Sequence, residues 1–235
     1  MNFSEDFFPE LNPQDELIHL DFSRKNYSIG FLKDNNPVNG VVLLPPSTIG
    51  KLVESGVQVW IQRGVSSHTA WSDLDYADVG GVILDDASSV ISQSNILIKI
   101  EPFTIEELAL LSPNLVIISH LRLLDLSPDY FTILRQKNIT AISLDFIKGK
   151  NDQYIFMEIF LNTLGVTSIS LALGEFVFPI LMSLVESSNL KVAIQTCATL
   201  IQGIYCYQGF LCNENIANKL NLPWKDILQL CWNQN

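Results

Sequence analysis

A loop with the frame of an anion-binding site lies at residues 33–46, where the sequence reads K-D-N-N-P-V-N-G-V-V-L-L-P-P. A loop that grips a carboxylate normally offers a guanidinium, because its planar fork of donors matches the two carboxylate oxygens. Gly40 and Val41 stand where that charge is expected. The loop therefore keeps the frame of an anion site without the charge that would hold the anion.

Two further candidate positions follow apolar runs that have the composition of buried strands. Lys99 and Glu101 come after N-I-L-I, and His120 and Arg122 come after V-I-I-S. Residues two apart in a strand face the same side, so the two members of each pair are predicted to lie on one face of the sheet. A lysine polarises a carbonyl and a histidine transfers protons, whereas an arginine stays protonated and cannot act as a base.

The family resemblance described below groups five residues into one predicted cleft: Val41, Lys99, Glu101, His120 and Arg122. Two of these residues have an alternative interpretation without chemistry: Lys99 as a structural or solvent-facing lysine, and His120 as a core or cleft-lining histidine. The carboxylate of Glu101 would repel an acidic substrate, and Lys99 is the substitute charge next to it.

No metal or nucleotide site is predicted elsewhere in the sequence. His19 and His68 have no partner pattern, and the glycines form no G-x-G or P-loop pattern, so the chain by itself is expected to bind no nucleotide cofactor. The acidic pairs lack histidines at metal-ligand spacing and are predicted to form caps and solvated faces: Asp73 and Asp75, Asp85 and Asp86, Glu106 and Glu107. The cysteines match no zinc pattern and are predicted to be reduced thiols: Cys197, Cys206, Cys212 and Cys231.

Short β-rich runs alternate with helical patterns from Tyr27 to Ile147. The β-rich runs are Y-S-I-G-F-L, V-Q-V-W-I-Q, G-V-I-L, N-I-L-I-K-I, N-L-V-I-I-S-H-L and T-A-I-S-L-D-F-I. The helical patterns lie between them at residues 46–55, 72–79, 87–94, 104–111 and 127–137, and Ser72 and Thr104 are predicted N-caps. This alternation predicts an α/β fold with a doubly wound, mostly parallel sheet.

Three parts are predicted along the chain: an acidic N-terminal arm over residues 1–26, an α/β part over 27–149, and a helical part over 150–235 that packs on the same domain. After Gly149 the pattern is helical throughout, and the run from Ile159 to Val185 is long enough to cross a membrane. A charge at Glu175, near its middle, makes that costly, so a buried helix or a subunit interface is the preferred interpretation.

The composition is that of a globular chain, because 48% of its 235 residues are hydrophobic and 17% are charged. The net charge of -11 argues against a nucleic-acid partner, since that affinity comes largely from lysine and arginine. The first residues, M-N-F-S-E-D-F-F, lack the basic and apolar regions of a secretory signal. A cytoplasmic protein without a nucleic-acid or membrane partner is expected.

The order of these features resembles the substrate domain of alanine dehydrogenase and of the transhydrogenase α subunit. The matching segments are Y-S-I-G-F-L-K-D, P-P-S-T-I-G-K-L-V-E-S-G-V-Q-V-W-I-Q-R-G, W-S-D-L-D-Y-A-D-V-G-G-V-I-L, N-I-L-I-K-I-E-P and the tail I-Y-C-Y-Q-G-F-L-C-N-E-N-I-A-N-K-L-N-L-P-W-K-D-I. The resemblance implies a Rossmann-like substrate domain. It also implies that the family's NAD-binding Rossmann domain is missing, its two linker helices being fused at Gly165 and Val166.

The same resemblance implies that three positions of the family's chemistry have changed. Val41 takes the place of the arginine that grips the substrate carboxylate. Glu101 takes the place of the lysine that polarises the substrate carbonyl, and Arg122 that of the proton-transferring histidine. The family's catalytic aspartate belongs to the missing NAD domain.

These observations predict a non-catalytic, alanine-dehydrogenase-like protein, a pseudoenzyme whose degenerate substrate domain is an assembly or small-anion-binding module. The alternative is a substrate-domain subunit of a split NAD-dependent alanine dehydrogenase or transhydrogenase-like enzyme. Its partner would be a full-length dehydrogenase or a separate NAD-domain chain. No catalytic residue, cofactor or metal is assigned to the chain itself.

A homodimer is also expected, because a long apolar surface on the fused helices would seldom stay open to water. The predicted interface is centred on Ile169, Leu173, Phe176 and Ile180. The small residues Ser170 and Gly174 are expected to let two backbones approach about a two-fold axis, with the acidic arm reaching onto the partner.

Overall fold

The computed structural model describes residues 27–38, 40–121, 127–149 and 151–232. The N-terminal arm predicted over residues 1–26 and the candidate residue Arg122 lie outside these ranges.

The described residues form one eight-stranded sheet with the strand order β3-β2-β1-β4-β5-β6-β7-β8. Strands β1 to β6 are parallel, and β7 and β8 are added antiparallel at one edge. The strands are β1 Ser28–Phe31, β2 Gln58–Gln62, β3 Val82–Leu84, β4 Ile96–Ile98, β5 Val116–Ser119, β6 Thr140–Ser143, β7 Ile204–Tyr207 and β8 Phe210–Leu211. The predicted α/β fold with a doubly wound, mostly parallel sheet is confirmed.

One prediction about the C-terminal region is wrong, because the chain after Gly149 is not helical throughout. Residues 204–207, I-Y-C-Y, are all buried and pair with β6, and the hairpin then returns as β8. Aromatic and β-branched residues favour a strand that is buried on both faces. The strand was missed because the neighbouring helical segments are also apolar.

Helices cover both faces of the sheet. They are α1 Pro46–Glu54, α2 Asp73–Asp78, α3 Ala87–Gln93, α4 Ile105–Leu110, α5 Pro128–Gln136, α6 Ile155–Asn162, α7 Val166–Glu186, α8 Leu190–Thr196, α9 Ala198–Gly203, α10 Glu214–Leu220 and α11 Ile227–Trp232. The predicted caps are confirmed, since Ser72 and Thr104 each form a capping box, with Asp75 and Glu107 respectively. Each capping box provides hydrogen-bond acceptors for free backbone N–H groups at the start of a helix. The cap therefore fixes the residue at which the loop after the preceding strand ends.

The core has two layers because the strands alternate. Side chains such as Ile98 and Ile118 face a layer that includes α1, α6 and α7, whereas Leu97 and Ile117 face the opposite layer with α3, α4 and α5. Residues at odd and even positions of one strand therefore enter different halves of the molecule.

The long helix α7 belongs to the first of these layers. Its length and composition would allow it to cross a membrane, and it is the one helix of the described ranges that passes this test. Eight of its residues are buried, and it packs on α1, α6 and α8. In the described fold α7 is thus a core helix.

The predicted dimer interface on α7 needs correction. Leu173, Phe176 and Ile180 lie in the core of the chain itself, and Ile169 is half-buried. Gly174 contacts α1, because a Cβ built on it would lie 2.2 Å from the Thr48 hydroxyl. The buried side chains form the apolar face of α7 and pack on the chain's own core. They are therefore not free to face a second copy.

The order of the strands reverses at β1, which lies between β2 and β4. In open α/β sheets of this kind, ligands bind in the crevice outside the carboxyl ends of the strands at such a point. The loops after β1, β4 and β5 carry the candidate residues and meet at this edge.

Candidate functional site

Backbone and carboxylate groups join the loops after β1 and β4. The Glu101 N–H donates to Oδ1 of Asp34 at 2.7 Å, and the Asn36 N–H donates to Oε2 of Glu101 at 2.8 Å. Two acidic side chains thus bridge neighbouring loops by accepting from main-chain donors. Asp34 is part of the loop that has the frame of an anion-binding site, and it brings a negative charge to this edge of the sheet.

Lys99 is completely buried and its charge is already paired. Its Nζ lies 2.8 and 2.7 Å from the two carboxylate oxygens of Glu107 and 5.0 Å from the centre of the Phe103 ring. Its burial contradicts the interpretation of Lys99 as a solvent-facing lysine and fits the interpretation as a structural one. The prediction that Glu107 serves only a cap or a solvated face missed this pair.

Val41 is a core residue, and its loop is fixed to α7. The Val42 N–H donates to the Ser170 hydroxyl at 3.0 Å, and the Val41 carbonyl lies 2.7 Å from Nε2 of His68. Gly40 has a φ of 79°, and a Cβ on it would come within 2.8 Å of the Val166 side chain. The frame of an anion-binding loop is used here for packing, and Val41 points into that packing.

His120 forms a pair with an acidic residue that the sequence did not single out. Its Nε2 lies 3.3 Å from Oδ1 of Asp145, and its ring contacts the Phe156 ring at 5.4 Å between centres. The other oxygen of Asp145 accepts from the Leu121 N–H at 2.6 Å and from the Ser143 hydroxyl at 3.0 Å. The interpretation of His120 as a cleft-lining residue fits its partial exposure.

The structure does not bring the candidate residues together into one cleft. Lys99 and Glu107 lie with α4 on one side of the sheet, while His120 contacts Phe156 of α6 on the other. In the parallel pairing of β4 with β5, Ile98 lies opposite Ile118. Position 99 is one residue after Ile98, whereas position 120 is two residues after Ile118, so the two side chains face opposite sides of the sheet. A lysine and a histidine on opposite faces cannot act on one small substrate.

A small cavity lies on the Lys99 side, with a volume of about 250 Å³. Glu101 is its charged side chain among the described residues. The remaining lining is polar or apolar and neutral: Asn35, Asn36, Pro102, Phe103, Thr104, Ile105, Leu121, Ser127 and Tyr130. Such a cavity has room for a small molecule, and its described lining offers no free cation to an acidic one.

The electrostatics of this edge are acidic. Burial raises the pKa of Asp34 to about 6, and the Glu101 N–H together with the Lys99 charge partly opposes that rise. The rise shows that a negative charge at this position is poorly solvated, because burial disfavours the charged form of a carboxyl group. No group of three metal-ligating side chains occurs within the described ranges.

Asp34, Glu107 and Asp145 were not predicted as members of the site. For Asp34 a signal was present, because it follows a buried strand by three residues at the carboxyl end of the sheet. For Glu107 the signal was its place in a capping box one loop after Lys99. Asp145 gave no local signal, since it meets His120 through strand pairing between β5 and β6.

Comparisons with known proteins relate this chain to alanine dehydrogenase and to transhydrogenase. The family described as "Alanine dehydrogenase/PNT, N-terminal domain" matches residues 33–159. An NAD(P) transhydrogenase subunit alpha of Rickettsia prowazekii, named as the first portion of that subunit, is 21% identical over 171 residues, which is 68% of this chain and 42% of that protein. The protein of the same name from Rhodospirillum rubrum is 27% identical over 124 residues, which is 51% of this chain and 32% of that protein.

Among solved structures, an L-alanine dehydrogenase has a TM-score of 0.50 at 23% identity, over 56% of this chain and 36% of its own. At this identity the likeness supports the fold. The chain spans less than half the length of the two transhydrogenase subunits that it matches.

Proposed function

The chain belongs to the family of the alanine dehydrogenase/PNT N-terminal domain, and from that membership we propose that it is a non-catalytic member that serves as an assembly module. The observation that carries the proposal is the two-point ion pair of the buried Lys99 with Glu107. The pair occupies the charge of Lys99, so among the described residues of the predicted cleft this cation is not available to an acidic ligand.

The pair is costly to open. Breaking a buried ion pair by taking away one partner typically costs about 3–5 kcal/mol, because the remaining charge stays uncompensated. A 2-oxo acid would have to supply that energy to recruit Lys99, and it would also face the carboxylates of Asp34 and Glu101. Binding and polarising such a substrate is therefore disfavoured at this site.

The proposed assembly surface consists of apolar side chains around the α6–α7 connection. Met157, Leu161, Leu164, Val166 and Leu171 are exposed there, Leu164 by 92%. Exposed apolar side chains grouped in this way are typical of interaction surfaces. This α6–α7 patch replaces the buried face of α7 as the proposed homodimer contact. The curated relatives are named as subunits, which supports a role together with other chains.

A second candidate function is a substrate-domain subunit of a split enzyme, completed by an NAD-domain chain. The pair of His120 with Asp145 favours it, because an aspartate that orients a histidine is an arrangement suited to proton transfer. Under this alternative, His120 would act on the α6 side of the sheet and Lys99 would remain a structural residue.

Small-anion binding, the other half of the predicted function, depends on Arg122, which lies outside the described residues. Thermal shifts with a panel of small anions would test it in wild type and Arg122→Ala. Equal shifts in the two proteins would reject anion binding through this residue.

The central experiment is isothermal titration of the pure protein with NADH, pyruvate and alanine, followed by an assay of NADH oxidation with pyruvate and ammonia. We expect no saturable binding up to about millimolar ligand, a range that corresponds to about 4 kcal/mol of binding free energy, and no turnover. His120→Ala is the matched control, because residual turnover from a host dehydrogenase would survive it. Turnover that His120→Ala abolishes would overturn the proposal, because the chain itself would then be catalytic.

A further inference from the structure

A second concave site lies between α5, from Pro128 to Arg135, and the β7–β8 hairpin. Its volume is about 330 Å³, and it shares no lining residue with the cavity beside Glu101. The lining residues are Pro128, Phe131, Thr132, Arg135, Gly209, Phe210, Leu211, Leu222, Pro223, Trp224 and Lys225. We call this site the α5–hairpin groove.

The groove carries two cations that form no ion pair within the described ranges, Arg135 and Lys225. By contrast, Lys51, Lys99 and Lys148 each have a carboxylate partner. Two uncompensated positive charges in one concavity are unexpected on a chain with a net charge of -11. They give the groove a local preference for carboxylates.

Aromatic surface is open beside these cations. Phe210 is 41% exposed and Trp224 is 39% exposed, and the Lys225 ammonium lies 4.0 Å from the centre of the Phe210 ring. Aromatic side chains and arginine are the residues that most often dominate the energy of an interface. The groove thus combines apolar walls with positive charge, which suits a ligand that has both aromatic and acidic groups.

The groove is held in place by backbone contacts. Gln208 and Gly209, with φ values of 46° and 77°, form the tight hairpin turn, and a Cβ on Gly209 would lie 2.8 Å from Cα of Arg135. The Lys225 N–H donates to the Leu211 carbonyl at 2.9 Å. Groups fixed in this way lose little freedom when a ligand binds.

We propose that this groove binds residues 4–11 of the same chain, S-E-D-F-F-P-E-L. The segment places Phe7 and Phe8 between Asp6 and Glu10, so its charges complement Arg135 and Lys225 while its rings complement the open aromatic surface. The interaction joins an acidic, phenylalanine-containing peptide to a basic, aromatic groove.

The position of the described chain start allows this contact. Tyr27 lines a cavity together with Asn138 and Gln208, and these two residues lie close in sequence to Arg135 and Gly209 of the groove. The residues from 12 to 26 could extend to about 50 Å, at about 3.3 Å per residue. That length is ample to place residues 4–11 in the groove.

Limited digestion of the full chain with a glutamate-specific protease tests the proposal. Cleavage after Glu10, inside the segment, is compared by mass spectrometry with cleavage after Glu16, outside it. In the variant Arg135→Glu/Lys225→Glu we expect the ratio of the two cleavage rates to rise at least about fivefold over wild type, because a bound segment is protected from proteolysis. An unchanged ratio would overturn the proposal.

Lys33→Glu/Lys191→Glu is the matched control, since it reverses two charges outside the groove, and it should keep the wild-type ratio. Phe7→Ala/Phe8→Ala leaves the described fold untouched, and it should raise the ratio as the groove variant does. A rise in the control equal to that in the groove variant would reject the groove as the binding site.

A second measurement uses a fluorescent peptide of residues 1–14 added to the full chain that carries Phe7→Ala/Phe8→Ala. We expect saturable binding, weakened at least about tenfold by Arg135→Glu/Lys225→Glu and weakened further by salt. A peptide that does not bind, or that binds both proteins equally, would overturn the assignment.

Discussion

Both carboxylate oxygens of Glu107 lie within 2.8 Å of the Lys99 ammonium, and the lysine is fully buried while the glutamate is partly exposed. The same glutamate completes the capping box of α4 by accepting from the Thr104 N–H at 2.7 Å. One side chain therefore fixes the start of a helix and neutralises the charge at the end of β4.

Removing the charge of Glu107 should be strongly destabilising. In Glu107→Gln the side chain can still cap α4, but Lys99 would be left buried without a counter-charge, which costs about 3–5 kcal/mol in free energy of unfolding. Urea unfolding followed by circular dichroism measures this loss. Glu54→Gln, at an exposed position of α1, is the control and should unfold at the wild-type midpoint. Lys99→Met/Glu107→Leu should recover most of the loss, and a wild-type midpoint for Glu107→Gln would contradict the buried pair.

Asp34 should make the protein less stable as the pH rises. Its pKa is raised to about 6 in the folded protein, from 3.8 for an unperturbed group. The folded chain thus holds the proton of Asp34 more tightly than the unfolded chain does. The contribution of Asp34 to the free energy of unfolding therefore falls between about pH 4 and about pH 7. A shift of about two pKa units corresponds to about 3 kcal/mol.

Asp34→Asn removes this titration, so the stability of the variant relative to wild type should increase across that pH window. Asp78→Asn, which removes an exposed carboxylate, is the control for the loss of one charge. Parallel curves for wild type and Asp34→Asn in a series of urea titrations would show that Asp34 does not titrate in this window.

A methyl group at position 174 should be poorly tolerated although the residue lies within a helix. Alanine normally stabilises a helix by about 1 kcal/mol relative to glycine. Here the added Cβ would meet the Thr48 hydroxyl at 2.2 Å and the Pro45 ring at 2.8 Å. Overpacking of this kind costs about 1–3 kcal/mol, so Gly174→Ala should lower the thermal midpoint. Ser168→Ala, at an exposed position of α7, should leave the midpoint unchanged or raise it.

Charges in the α6–α7 patch should change the assembly of the protein. Leu161→Glu/Leu164→Glu places two carboxylates in the patch, so light scattering should report a dimer for wild type and a monomer for the variant. Ser168→Glu adds a charge at a polar exposed position and is expected to keep the dimer. A wild-type mass equal to that of one chain would remove the homodimer from the proposed function.

Much of the fold was accessible from the sequence because its signals are local. Ser72 and Thr104 mark helix starts by cap chemistry that acts over three residues, and the structure confirms both. The strand I-Y-C-Y was missed because an apolar run of four residues has no period that separates a strand from a helix. Its identity depends on pairing with β6, which lies far away in the sequence.

The site was less accessible, for a related reason. Alternation within a strand correctly relates Lys99 to Glu101, but it does not say which face of the sheet a neighbouring strand presents. His120 was therefore predicted to share the cleft of Lys99, whereas the pairing of β4 with β5 places the two on opposite sides. The small residues of α7 were likewise assigned to a second copy, since the sequence does not show that Thr48 and Val42 occupy the space beside them.

The antiparallel addition of β7 to β6 also sets the order in which the protein can fold during synthesis. Ala141 pairs with Cys206, so β6 has an unpaired edge until about 65 further residues have left the ribosome. An apolar strand with an open edge is a template for pairing with other chains. The nascent protein should therefore be most prone to aggregate while α6 to α9 are being made, and ribosome-bound chains stalled before residue 204 should bind chaperones more strongly than chains stalled after residue 211.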